Sequence, residues 1–132
     1  MTLTKLGNPD AADDGVLEAF DVDDRELEIV LDCSEFTCRC PVTVQPDWAT
    51  IEIRYRPGPR VVETKSLKLY LETFREVGIF HEHVAKRIRD DLVAILEPAE
   101  LAVTVRFNRR GGIAVTATSS YPPVAEAASR KR

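Results

Sequence analysis

The 132-residue chain contains no long apolar run. Spanning a bilayer takes about 20 consecutive apolar residues, so membrane insertion is not expected. The opening Met1-Thr2-Leu3-Thr4-Lys5 has neither the basic start nor the apolar stretch of a secretory signal. A cytosolic address is therefore the expectation. A basic excess is also missing, since the formal net charge is -4. Proteins that bind duplexes or tRNA present a basic surface, so the expected partner is a small molecule rather than nucleic acid. No Gly-x-Gly-x-x-Gly element follows a strand and no Gly-Lys-Ser phosphate loop occurs. A dinucleotide would have to be held without a Rossmann unit. Cysteine is sparse and odd in number: Cys33, Cys38 and Cys40. Without an export signal these read as reduced thiols, not as a disulfide framework.

Hydrophobic residues make up 44% of the chain and charged residues 30%, which predicts one packed domain. Residues 1–24 read as a flexible, solvated acidic arm, with Asp10, Asp13, Asp14, Glu18, Asp21, Asp23 and Asp24 and few core-forming groups. Residues 25–120 form the expected folded domain. Residues 121–132 begin Tyr-Pro-Pro, end basic and read as a flexible tail.

Inside the domain the hydrophobic period changes twice. Leu27 to Cys33 predicts a first strand, with Leu27, Ile29 and Leu31 on one face. Ala49, Ile51, Ile53 and Tyr55 alternate with polar residues and predict a second, closed by Pro57-Gly58-Pro59. Leu67, Tyr70, Leu71, Phe74 and Val77 then form a helical stripe, with Thr64 as the expected N-cap and Gly78 as the expected stop. Val84, Ile88, Leu92, Ile95 and Leu96 predict a second helix that halts before Pro98. Two strands follow, Leu101-Val103-Val105-Phe107 and Ile113-Val115-Ala117, joined by the turn Arg109-Arg110-Gly111-Gly112. The order strand-strand-helix-helix-strand-strand implies an α+β fold. Its antiparallel four-stranded sheet would carry both helices on one face. Such a sheet has open edges, and pairing them between copies into a closed ring predicts a homo-oligomer.

Three segments could carry chemistry. Cys40 ends an extended stretch and opens the Pro-bounded turn Pro41-Val-Thr-Val-Gln-Pro-Asp47. Free backbone N–H groups there would favour a thiolate, and Asp47 could return beside the sulfur as a proton donor. The alternative is that Cys40 is one more small buried hydrophobe. Lys65 and Lys68 stand in the first turns of the first helix, where cations oppose the helix dipole but an anion such as a phosphate is welcome. A solvated lysine face is the plain alternative. Phe80-His81-Glu82-His83 with Cys38-Arg39-Cys40 invites a zinc reading, but neither spacing is that of an ordinary zinc site.

Glu63-Thr-Lys-Ser-Leu-Lys-Leu-Tyr70 resembles the signature of the NADPH-dependent 7-cyano-7-deazaguanine reductases, nitrile reductases of queuosine biosynthesis, a tRNA modification. Thr64 stands where that family usually has Ser or Leu. Cys40-Pro41 with Gln45-Pro46-Asp47 is similar to the segment holding the family's nucleophile and proton donor. Phe80-His81-Glu82 is similar to its substrate clamp, and Arg110-Gly111-Gly112 to a cofactor-binding turn, with Arg109 in place of a Pro. The resemblance covers about Phe36 to Val115. It implies a tunnelling fold (T-fold) assembled as an oligomeric barrel with sites at subunit interfaces. It implies Cys40 as the nucleophile forming a thioimide, Asp47 as the proton donor, and Val62, Glu63, Thr64, His81 and Glu82 around the deazapurine. Lys65, Lys68 and Arg110 would hold NADPH, and no metal is implied. Two further readings compete: a zinc-dependent cyclohydrolase of the same fold, and a non-catalytic oligomer that binds a purine or pterin.

Overall fold

The computed structural model describes residues 2–12 and 14–123. Among these are strands β1 (Ala19–Asp21), β2 (Ile29–Arg39), β3 (Pro46–Arg56), β4 (Arg60–Val62), β5 (Glu100–Phe107) and β6 (Thr116–Tyr121), and helices α1 (Thr64–Glu72) and α2 (His81–Leu96). The main sheet is antiparallel in the order β2-β3-β5-β6, and β1 pairs with β4 in a separate two-stranded ribbon. The mixed α+β architecture and its central ββααββ order are those expected from the periodicity.

The core lies between the sheet and the helices. Along β3 and β5 every second side chain is buried, from Ile51, Ile53 and Tyr55 to Val103, Val105 and Phe107. This is the period-2 consequence of covering one face of a sheet. Helix α2 presents Val84, Ile88, Leu92 and Leu96 to that face, at a spacing of four that keeps them on one stripe. Helix α1 adds Leu67, Tyr70 and Leu71, and a 3-10 turn over Thr73–Glu76 adds Phe74.

The last strand runs Thr116–Tyr121 and not through Ile113, which is exposed and bridged to Arg110 in the turn; four more sequence expectations need correction. Strand β2 begins at Ile29 and continues to Arg39, past the expected end at Cys33, because a bulge between Cys33 and Phe36 reverses the alternation. Before the bulge Leu31 and Cys33 turn toward the core, and after it Phe36 and Cys38 do. The N-cap of α1 is Glu63, not Thr64. Its carboxylate accepts the Lys65 and Ser66 N–H groups at 2.6 and 2.8 Å, a reach that the exposed Thr64 hydroxyl does not make. Gly78 does not stop α1, which ends at Glu72. It packs against Pro41, whose Cα would lie 3.3 Å from an added Cβ.

The last correction concerns the segment read as a solvated arm, which is in part packed. Ala19 is buried and pairs with Val62, and Glu18 accepts hydrogen bonds from Thr4 and the Lys5 N–H. Lys5 is buried too, paired with Asp14 at 3.0 Å. Glu18 and Asp14 there answer to local donors rather than to solvent alone. Of the expected tail, residues 124–132 lie outside the described residues.

Candidate active site

The end of the β2–β3 hairpin is built by backbone hydrogen bonds. The Cys40 N–H donates to the Gln45 carbonyl and the Val44 N–H to the Cys40 carbonyl, both at 2.9 Å. The tight turn forces Val44 to φ 62, a left-handed conformation that a β-branched residue adopts only under strain. The segment entering α2 is stitched to the same strand end, with the Arg39 N–H donating to the Val77 carbonyl at 2.9 Å and the Ile79 N–H to the Arg39 carbonyl at 3.0 Å. Those bonds carry Phe80, His81 and Glu82 to the mouth of the Cys40 turn.

The result is a groove of about 420 Å³ lined by Cys40, Asp47, Phe80, His81, Glu82 and Arg110, among others. Hydrogen bonds from the Thr43 hydroxyl, the Thr43 N–H and the Val42 N–H hold the Cys40 thiol below its ordinary value of 9.0, overcoming desolvation and the charge of Asp47. Its neighbours move the other way. Burial, with Asp47 and Cys40 adding to it, pushes the Cys38 thiol up to about 11. Burial, with Asp32, raises Cys33. Of the three thiols, Cys40 alone is activated.

Asp47 stands opposite Cys38 on β3, in the inward-facing series that continues through Ala49 and Ile51. Only 2% of its side chain is exposed. One carboxylate oxygen pairs with the Arg110 guanidinium, and the other lies 3.0 Å from His81 Nε2. His81 is stacked flat on Phe107, with ring centroids 3.7 Å apart and planes within 6°. Arg110 also donates to the Gln45 side-chain oxygen at 3.0 Å. Glu82 is exposed at the rim and has no hydrogen bond or ion pair among the described residues.

The remaining sequence-predicted residues gather elsewhere. Val62 is buried at the end of β4, and Glu63 caps α1. The Lys65 ammonium donates to the Asn8 carbonyl. Thr64 and Lys68 line a second groove of about 490 Å³ between α1 and the bulged part of β2, where Arg75 also stands. Arg60 of β4 donates to the Ile95 carbonyl at 2.8 Å and pairs with Glu97, so β4 runs beside the C-terminal end of α2. His81 and Glu82 open the other end of that 16-residue helix, about 24 Å away at 1.5 Å per residue. The residues singled out from the sequence thus fall in two groups at opposite ends of the helical layer.

Two supporting residues were not assigned a role from the sequence. Thr43, a hydroxyl in the Pro-bounded turn three places after the thiol, could have been found as a local donor. Gln45 stood only as part of the resembling segment, and its hold on Arg110 gave no local signal. Among the described residues no group of three or more His, Cys, Asp or Glu side chains is gathered as metal ligands would be. No helix among them is long and apolar enough to cross a membrane.

Fold and site together define an α+β thiol-centre protein whose activated cysteine and buried carboxylate share one groove. The sequence profile described as "QueF-like protein" matches residues 46–125. A relative from Frankia casuarinae named NADPH-dependent 7-cyano-7-deazaguanine reductase is 69% identical over 121 residues, 92% of this chain and 97% of its own. A relative of the same name from Anaeromyxobacter dehalogenans is 55% identical over 97 residues, 74% of this chain and 80% of its own. The chain belongs to the QueF-like family of NADPH-dependent 7-cyano-7-deazaguanine reductases. Among solved structures, the archaeosine synthase QueF-Like in the apo form matches with a TM-score of 0.68 over 74% of this chain and 95% of that one. At 22% identity the likeness is one of fold.

Proposed function

We propose that the chain reduces the nitrile of 7-cyano-7-deazaguanine to the aminomethyl group of 7-aminomethyl-7-deazaguanine, using two NADPH. The observation that carries this reading is the activated Cys40 in one groove with buried Asp47 and unpartnered Glu82. The Cys40 thiol gives its proton to the Asp47 carboxylate as the sulfur attacks the nitrile carbon, and Asp47 passes that proton to the nitrogen, giving a thioimide on the sulfur. Covalent capture helps because a linear nitrile is a poor hydride acceptor and a thioimide a better one. Hydride is what NADPH supplies when bound, once to the thioimide carbon and once after the sulfur has left.

The free carboxylate of Glu82 suits the ring N–H and exocyclic amine of a guanine-like base, a donor pair that two carboxylate oxygens can accept together. Glu63 already caps α1 with both oxygens but keeps lone pairs for the base beside Val62 and Thr64, with His81 supplied from the Cys40 end of a second copy. The second groove, between α1 and the bulged part of β2, is where the cofactor's phosphates would lie in this reading. Lys68 and Thr64 of α1 line it with Arg75 of the 3-10 turn, which also pairs with Glu72 at 3.6 Å, beside the carboxylates of Asp32 and Glu35, and Lys65 stands one turn from Lys68. Lys65 and Lys68 would hold the NADPH phosphates.

Because the two half-sites lie at opposite ends of the helical layer, a complete site is formed when the Glu63 end of one copy meets the Cys40 end of another. The terminal strands of the main sheet, β2 and β6, supply edges for such pairing into a T-fold barrel. A working thiolate needs a reducing compartment, which suits the cytoplasm.

The test is NADPH oxidation on addition of 7-cyano-7-deazaguanine. Two NADPH are expected per base, with Cys40→Ala inactive yet able to bind the base. A non-catalytic purine- or pterin-binding oligomer would bind the base and consume no NADPH. A zinc-dependent cyclohydrolase would carry one tightly held zinc per subunit, lost in Cys40→Ala.

A further inference from the structure

Residues 41–46, the turn that follows Cys40, are all exposed. Val42 and Val44 are 76% and 60% exposed, so no buried side chain fixes the turn from within. Its backbone is nevertheless strained, with Val44 at φ 62. A branched side chain is crowded by its own backbone in that conformation, which persists only where the surroundings hold it. Two bonds flank Val44 and do so. Its N–H donates to the Cys40 carbonyl at 2.9 Å, and its own carbonyl accepts from Arg39 Nη1 at 3.0 Å. The guanidinium is anchored in its turn. Arg39 Nε and Nη2 reach one carboxylate oxygen of Glu76, at 2.9 and 2.8 Å, at the end of the 3-10 turn. Gly78 backs the same turn from its own segment, packed against Pro41 with no room for a side chain at ordinary distance.

We infer that Arg39 is a positioning residue for Cys40, its planar fork clamping the strained Val44 carbonyl to Glu76 so that the turn keeps its donors on the sulfur. The inference rests on the role of Cys40 proposed above. Those donors are the Thr43 hydroxyl, the Thr43 N–H and the Val42 N–H, all within the clamped turn. They are the largest influences on the thiol, and the charge of Arg39 is already paired with Glu76. Arg39 therefore works through the position of the turn and not through its own charge. The ionisable groups around the sulfur are Cys38, Asp47, His81, Glu82 and Arg110, and a change at Arg39 alters none of them. A lysine could supply a cation but could not hold both partners with the fixed geometry of the fork.

The test is a cycle of Arg39→Met and Val44→Gly, read by the rate and pH midpoint of Cys40 alkylation by iodoacetamide in unliganded protein. Arg39→Met keeps the apolar stem and removes the fork. It should slow alkylation near pH 7 about three- to tenfold and raise the midpoint, as expected on losing one charge-assisted hydrogen bond. Glycine adopts positive φ without strain. In the Val44→Gly background, Arg39→Met should therefore cost less than about twofold. Arg39→Lys should match Arg39→Met within about twofold. An exposed ion pair adds little to global stability, so Tm should move by less than about 3 °C in the Arg39 variants. In turnover, kcat should fall with the alkylation rate while KM for NADPH stays within about twofold. Unchanged alkylation in Arg39→Met, full recovery in Arg39→Lys, or an equal loss in both backgrounds would each overturn the inference. So would new labelling of Cys33 or Cys38 in Arg39→Met, which would mark a general loosening. A rise of about tenfold in KM for NADPH at unchanged kcat would also overturn it, by making Arg39 a cofactor ligand. If the unaltered protein failed to oxidise NADPH, the nitrile-reductase reading would fall, and the alkylation cycle would still decide whether Arg39 positions the thiol.

Discussion

Replacing Glu63 with Ala perturbs the helix that carries most of the family signature, and its cost can be worked from the geometry. The carboxylate accepts the Lys65 and Ser66 N–H groups at 2.6 and 2.8 Å, and Glu63 is only 2% exposed. Removing an N-cap side chain costs about 1 kcal/mol. Hydrogen bonds to a charged group are stronger, at about 1.5–3 kcal/mol, and the stranded N–H groups have little water to turn to. The desolvation of a buried carboxylate offsets part of this gain, so about 2 kcal/mol is the expected loss. For a domain of this size that lowers Tm by roughly 8 °C. Glu63→Gln keeps one oxygen acceptor in place and should lose about half as much. Thermal and urea unfolding followed by circular dichroism would measure both, with the urea slope unchanged. An Ala variant within about 0.5 kcal/mol of the parent would refute the claim that this carboxylate holds the start of α1.

The other predictions concern thiol and proton chemistry. Cys40 should be the first cysteine alkylated by iodoacetamide, with a pH midpoint below that of a free thiol, while Cys38, pushed up to about 11, stays unlabelled at neutral pH. Thr43→Val removes the hydroxyl that contributes most to this and should move the Cys40 midpoint upward; an unmoved midpoint would show that the backbone N–H groups suffice. Glu18 is held below its ordinary value of 4.5, chiefly by the Thr4 hydroxyl. Its contribution to stability is therefore present above about that pH and is lost as pH falls through the lower folded value. Denaturation of Glu18→Gln across pH 3 to 7 should show a smaller acid-side loss than the parent, and equal slopes would remove Glu18 from the account.

The elements legible in the sequence were those whose burial is one-sided and uninterrupted. The Val84-Ile88-Leu92-Leu96 stripe and the alternations along β3 and β5 needed no tertiary knowledge. Strand β2 was half hidden because its bulge inverts the alternation between Cys33 and Phe36. Strands β1 and β4 have three residues each, too few to set up a period. The cap was assigned to the hydroxyl of Thr64 by residue preference, whereas the longer Glu63 side chain folds back over the helix start. Within the site, Cys40 and Asp47 could be associated because one turn joins them. The Arg110–Asp47 pair spans 63 positions and depends on β3 and β5 being neighbours. No local pattern encodes that register.

The central claim is that Cys40 traps the nitrile carbon, and peptide mapping by mass spectrometry tests it most directly. The protein would be incubated with 7-cyano-7-deazaguanine and no NADPH. An adduct of the full mass of the base is expected on the peptide containing Cys40, absent in Cys40→Ala. Adding NADPH should discharge it with release of 7-aminomethyl-7-deazaguanine. Turnover without any adduct, or an adduct on Cys33 or Cys38 that persists in Cys40→Ala, would contradict it.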